Sequence, residues 1–483
     1  MASGDLKGFV EIASDEVRHH PARVLGMGLF WAWLQIVFAS PALAPVAAWP
    51  LPLAPQQQVW TLSLGATLAT FALVLALRKH LPASLSAGAV MLGHGLMAAG
   101  AMALAWSAIF PSLPLVLLGV AGTGLGSGFA FLAWGDHLAR LAPRRVLFDM
   151  TVYSFLTAAF FGVVMLLPWW GVQMAVVAMP VVAGALLVRA NRHLAPCTAD
   201  VAPVPGAPSG LSLVGLAVLV GLVYGIMRGV SLSFAEGSFG QVTTATVMGI
   251  AGAGLLLAAT TVFFRKGSEL YLVCQISFPL LAAGFLLLPQ FIGGLPLPVI
   301  VFTVGHSYFY SLLWVFCADR AQNSRRAPLI VFAVGLLSFL GGSLGGSLAS
   351  DAMALVASEA SQTITIVSLV VVYLFVVVFA YLFGKNRRAD LASTDEQRAL
   401  DFKRCSELVA AEGGLSPREV EIFHLLALGK DRADIREICH ISTDTVKSHT
   451  RRIYAKLDIH SKKEAQSLVE QRMEQERKGM IAR

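Results

Sequence analysis

The chain has 483 residues, of which 56% are hydrophobic and only 13% charged, with a formal net charge of +7, a pI of about 9.2 and a mean hydropathy of +0.70. Ordinary soluble proteins carry about 25% charged residues, so this composition excludes a mostly soluble protein. The five cysteines (Cys197, Cys274, Cys317, Cys405 and Cys439) form no CxxC and no zinc-like spacing, which suggests neither a disulfide framework nor a metal site, and no cofactor is expected.

A span needs about 20 mainly apolar residues to cross the ~30 Å hydrocarbon core. After a polar segment at 1–21, runs of that kind give about twelve candidate spans. They lie near 23–46, 59–77, 83–104, 112–134, 146–167, 169–189, 211–235, 243–264, 269–289, 295–317, 328–350 and 363–384. Ser40–Ala44 has the small residues of a signal cleavage site, but Asp5, Glu11, Asp15 and Glu16 make the preceding segment unlike a signal peptide, and the first span is expected to be kept.

Lys and Arg in short loops are retained on the cytoplasmic side. Arg78 with Lys79, Arg140 with Arg144 and Arg145, Arg189 with Arg192, Arg265 with Lys266, Arg320 with Arg325 and Arg326, and Lys385 with Arg387 and Arg388 fall in alternate connections. The reading is a multi-pass protein of the cytoplasmic membrane with both termini in the cytoplasm. A first six-span half at 22–192, a Pro/Ala-rich linker at 193–210 and a second half at 211–384 resemble the major facilitator superfamily in layout. Leu77–Arg78–Lys79–His80–Leu81–Pro82 stands where such transporters carry a Gly-x-x-x-Asp-Arg-x-Gly-Arg-like loop.

Charges inside a bilayer are costly and usually functional. Arg228, in the seventh span, is the one basic residue that this reading leaves outside the cytoplasmic clusters, with Tyr224 one turn before it and Glu236 on the same face. It is either a counter-ion for an anionic ligand or a switchable pair, or else a structural partner of Glu236 or a snorkelling side chain. His306, Tyr308, Tyr310 and Trp314, with His94, Trp31, Trp33 and Gln35, either line a cavity for an aromatic effector or pack helices. Gly341–Gly346 is expected to serve close helix packing.

Beyond Gly384 the composition turns soluble, with 20 Lys/Arg against 17 Asp/Glu in 385–483. A linker at 385–412, helical at 394–411, leads to a domain at 413–483. Ser416, Pro417 and Glu419 have the parts of a capping box and helix start, Ile422, Phe423, Leu425, Leu426 and Leu428 supply an apolar face, and Gly429 ends the helix. A short helix at Arg432–Cys439, a third at Thr443–Leu457 capped by Ser442, and a fourth after Ser461 and Glu464 complete the domain. In the third helix Val446, Ile453 and Leu457 face the core, while Asp444, Lys447, Ser448 and Arg451 lie opposite, with Arg452 and Lys456 on the flank.

Leu415–Ser416–Pro417–Arg418–Glu419, Gly429, Ile435, Ile441–Ser442, Thr445–Val446–Lys447–Ser448–His449, Ile453–Tyr454 and Lys456–Leu457 resemble the LuxR-type DNA-binding domain in order and spacing. The resemblance implies a four-helix helix-turn-helix that binds double-stranded DNA and commonly dimerises through its fourth helix. By motif position Lys447, Ser448 and Arg451 would face bases, Thr445 a phosphate, with Arg452 and Lys456 as flanking cations. Arg436 stands where the family has Ala, and Cys439 where it has Leu. The fold expected is all-α: a polytopic bundle followed by this domain. The function expected is a one-component regulator that senses a small molecule or membrane signal, or alternatively a transporter with a fused regulatory domain. No HExxH, nucleophile elbow or dinucleotide fingerprint points to an enzyme.

Overall fold

A computed structural model describes residues 18, 20–40, 43, 55–80, 82, 84–192, 194, 210–234, 239–263, 270–289, 297–322, 327–356 and 360–481. These residues are nearly all helical, and the chain divides into two compact units, Met1–Ala380 and Tyr381–Arg483. Among the described residues these helices start in the first unit: α1 (Pro21–Ala39), α2 (Pro55–Ala76), α3 (Ala87–Ile109), α4 (Leu113–Leu138), α5 (Pro143–Met165), α6 (Trp169–Asn191), α7 (Gly210–Phe234), α8 (Phe239–Phe263), α9 (Leu270–Leu287), α10 (Leu297–Gln322), α11 (Pro328–Val356) and α12 (Ala360–Glu412). Proline opens α1, α2, α5 and α11, where its missing N–H leaves no hydrogen bond unmade.

Among the described residues ten helices are long and apolar enough to cross a membrane; Gln275–Leu287 of α9 and Thr365–Val378 of α12 are shorter apolar stretches. The protein is therefore a multi-pass membrane protein. Helix pairing repeats with an offset of six. The contacts α1·α5, α2·α4 and α3·α4 recur as α7·α11, α8·α10 and α9·α10, and the halves meet through the equivalent pairs α2·α11 and α5·α8. Such a repeat places a cavity at the interface of the halves.

With lipid as apolar as leucine, helices associate by close packing rather than by the hydrophobic effect. Gly221 and Gly225 of α7 meet Gly342 and Gly346 of α11 so tightly that a Cβ on Gly221 would lie 2.0 Å from the Phe339 carbonyl oxygen, and one on Gly346 1.9 Å from that of Leu222. Gly341 has nothing within 4 Å, so only part of the glycine run serves this contact.

The second unit joins the end of α12 to α13 (Pro417–Ala427), α14 (Arg432–Cys439), α15 (Thr443–Leu457) and α16 (Lys462–Ile481). Its core is Ile422, Phe423, Leu426, Ile435, Val446, Ile453, Ala465 and Val469, closed by Cys405, Val409 and Ala410 of α12. The stretch at 402–410 that reads as linker is thus part of this domain's interior. Leu428, expected on the apolar face, is exposed, because α13 ends before it and Gly429 takes a φ of +81°.

Candidate DNA-binding surface and membrane cavity

The α13 capping box is formed: the Ser416 backbone N–H donates to Glu419 Oε2 over 2.8 Å. The Lys456 ammonium donates to the same oxygen over 2.7 Å and to the Gly414 carbonyl over 3.0 Å. These donors, Lys456 first, hold the buried Glu419 carboxylate down to about 2. Arg418 pairs with Glu421 and donates to the Cys439 carbonyl, closing the end of α14 onto α13. His440, in the left-handed region at φ 55°, then turns the chain into α15.

In α15 the Ser442 hydroxyl accepts from the Thr445 N–H at 3.1 Å, and Val446, Thr450 and Ile453 are buried. Lys447, Ser448, Arg451 and Arg452 are exposed, as expected of them, and Thr445 is half-buried with its hydroxyl 2.8 Å from that of Ser442. Lys447 keeps only a long contact to Asp444, 3.7 Å. Lys456 differs from its expectation as a free flanking cation, because its ammonium is turned onto Glu419 and Gly414. Arg432, at the start of α14, and His460 join Lys447 and Arg451 around a shallow concavity; neither was singled out from the sequence, since the first lies on another helix and the second in a turn. Arg436 points outward, leaving the core to Ile435.

The fourth helix is not free on its apolar side. Ala465 and Val469 are core residues, Leu468 and Met473 pack against that core, and Arg472 pairs with Glu412 at 3.0 Å.

Residues 414–469 match the family described as "Bacterial regulatory proteins, luxR family". The C-terminal domain is a LuxR-type helix-turn-helix. A 62-residue stretch is 36% identical to the Uncharacterized response regulatory protein YgeK of Escherichia coli K12, a match covering 13% of this chain and 42% of that protein. The chain thus matches less than half the length of that relative, through a region of the size of the LuxR-type domain. The bundle resembles solved transporters. A bacterial homologue of the iron transporter ferroportin, in an outward-facing state with soaked iron, aligns at a TM-score of 0.51 and 15% identity, over 76% of this chain and 98% of that one. FucP, a Major Facilitator Superfamily transporter in the outward conformation, aligns at 0.46 and 14%, over 74% and 98%. At such identities the likeness is one of fold alone.

Within the bundle, four of the five residues expected to bind a ligand lie together. The Tyr224 and His306 rings stack at 4.0 Å and 15°, Tyr310 follows His306 at 6.0 Å, and the Arg228 guanidinium sits 4.6 Å over the ring of Trp60. Arg228 donates to the Phe38 carbonyl, tying α7 to the end of α1. Glu236 lies outside the described residues. Tyr224, Arg228, Ser231 and His306, with Gln35 and Ala39 of α1, line a cavity between the halves. It lies where α1 and α7 end and α8 and α10 begin, opposite the basic loops.

Other expected cavity residues pack instead. The Trp33 indole donates to the Val176 carbonyl at 2.7 Å, His94 lies against Gly184 with Nδ1 2.8 Å from the Val90 carbonyl, and Tyr308 bonds Thr260 at 2.8 Å. Trp31 stacks obliquely on Tyr310 at 5.2 Å and Trp314 at 5.8 Å, behind the cavity wall.

Arg228 is also not alone as a buried basic residue. Arg23 of α1 is 4% exposed and pairs with Asp149 of α5 over 3.2 Å, and Arg140 pairs with Asp136 one turn away. Near them, at the basic end, the Gln322 amide of α10 donates to the Leu141 carbonyl and joins the two halves. The sequence signal for this cluster was Asp136 and Asp149, acids within otherwise apolar spans.

Proposed function

We propose that this protein is a membrane-anchored, one-component transcription regulator whose span bundle senses a small molecule or a membrane signal, and whose LuxR-type domain binds double-stranded operator DNA. The observation that carries this reading is the exposure of Lys447, Ser448 and Arg451 on one face of α15 while Val446 and Ile453 hold the opposite face in the core. A helix anchored on one side and cationic on the other suits the major groove. The basic loops support a cytoplasmic position for both termini, which gives this domain access to DNA.

Recognition as a homodimer would pair the polar side of α16, because its apolar side is used within the chain. The effector site in this reading is the cavity lined by Tyr224, Arg228 and His306, with Tyr310 stacked behind His306 and Glu236 as an alternative partner of Arg228. Ligand binding shifts the DNA-binding equilibrium only through differential affinity for two states of the bundle. The test is an operator-linked reporter in cells carrying Arg228→Gln. Normal protein abundance, unchanged DNA affinity of the tail and loss of the response are expected. An unaltered dose response would remove the sensing role, and reduced abundance rescued by Glu236→Gln would make Arg228 structural.

A second reading, transport by the bundle, is supported by the cavity between two repeated halves. Substrate flux into proteoliposomes separates it from sensing, since a sensor binds without net movement.

A further inference from the structure

We infer that the cavity beside Arg228 takes a small organic monocarboxylate, held by the Arg228 guanidinium and the His306 imidazole. This rests on the sensing reading only for its consequence in the cell, not for the binding itself.

The charge of the site comes first. Arg228 is 8% exposed, and its partners are neutral: the Phe38 carbonyl, the Trp60 ring and Tyr224. Asp351 acts on it electrostatically without forming an ion pair, and Gln57 donates to Asp351 over 3.4 Å and to Ser347 over 2.5 Å. Among the described residues no carboxylate forms an ion pair with Arg228. A guanidinium in an apolar bundle is stabilised by one compensating negative charge, and a second would again be uncompensated. Among the described residues the cavity lining contains one arginine, no lysine and no acid, which selects a monoanion.

The hydrogen-bonding pattern is the second, independent observation. Arg228 Nε and His306 Nε2 are both buried without a partner, and both residues line the cavity. Buried donors are ordinarily satisfied, and an orphan is costly. A carboxylate has two acceptor oxygens and can serve both, with Nε2 carrying the ring proton of neutral His306. The remaining wall is largely apolar, with Ala39, Met227, Val242, Val299 and Phe302, so the anion needs a compact hydrocarbon body. Arg228 also holds the end of α1, through Nη2 and the Phe38 carbonyl, so the carboxylate site and the tie between the halves share one guanidinium.

Trp60 lies directly under the guanidinium and reports on it. Full-length protein in lipid nanodiscs is titrated with butyrate, benzoate, chloride and phosphate, following tryptophan emission and the thermal unfolding midpoint. Saturable quenching and a raised midpoint are expected with a monocarboxylate, absent in Trp60→Phe for the emission but retained for the midpoint. His306→Phe, which keeps a ring against Tyr224 but has no donor, should weaken binding by about tenfold or more, the loss expected for one charge-assisted hydrogen bond. No saturable effect of either carboxylate on the wild-type protein, or an equal effect of chloride or phosphate, overturns the inference without any variant having to fold. Carboxylate binding that leaves the operator-linked reporter unmoved would keep the site and sink the sensing role. A reporter that responds to other compounds, with no carboxylate binding, would do the reverse.

Discussion

Lys456 Nζ stands 2.7 Å from Glu419 Oε2, a bond that fastens the last turn of α15 to the first turn of α13 across 37 positions of sequence. Glu419 is buried and serves two donors, so the pair is part of the domain's frame. Glu419→Gln keeps an acceptor but loses the charge, and should cost about 1 kcal/mol, the difference between a charged and a neutral hydrogen bond. The Glu419 carboxylate is held down from 4.5 to about 2. Its contribution is therefore complete above pH 4.5 and lost as pH falls toward 2. Urea unfolding of residues 381–483 should show a constant gap between wild type and Glu419→Gln above that range and a closing gap below it.

On DNA the cations should separate into three kinds. Arg451→Ala and Lys447→Ala are expected to weaken operator binding by about 1–3 kcal/mol each while leaving non-specific binding less affected. Arg452→Ala should weaken binding to all sequences and lower the salt slope by about one. Lys456→Ala should lower stability and leave the salt slope unchanged. Gel-shift titrations at several salt concentrations measure all four, and a reduced slope for Lys456→Ala would return that residue to the interface.

The close contact of α7 with α11 sets a third expectation. Gly346→Val places carbon against the Leu222 carbonyl, where a Cβ already comes to 1.9 Å, and should sharply reduce folded protein in the membrane. Gly341→Val, at a position where a Cβ would meet nothing within 4 Å, should leave abundance unchanged. Fluorescence-detected size exclusion of tagged variants reads both.

Topology is open to direct test. Alkaline phosphatase fused after Arg192 or at Arg483 should be inactive, and fused after Phe110 active. Activity at Arg483 would contradict a DNA-binding role for the tail.

Features set by neighbours in sequence were readable from the residues alone. Asp431 and Ser442 cap their helices by bonds three residues long, so α14 and α15 lie at Arg432–Cys439 and Thr443–Leu457 as expected. Features set by distant partners were not. Arg23 and Asp149 are separated by 126 positions, and nothing in the neighbourhood of either points to the other. Lys456 is exposed as its position suggested, but its bond to Glu419 could not be read, because the partner lies on another helix. Cys405, Val409 and Ala410 are three small or medium residues after a charged stretch, too short a stripe to reveal that they complete a core. In the bundle, clustering of Tyr224, Arg228 and His306 could be suspected from their rarity but not located, since α7 and α10 carry no local mark of adjacency.

That completion of the core by Cys405, Val409 and Ala410 bears on how the protein could be processed. A protease cutting beside the exposed Gly414 would separate these three side chains from the rest of the core around Ile422 and Phe423. The liberated fragment would be a degradation product instead of a soluble regulator. Only a cut on the N-terminal side of Phe402 would release a domain with its interior intact, so intramembrane or juxtamembrane cleavage is the one form of proteolysis compatible with an active, diffusing product.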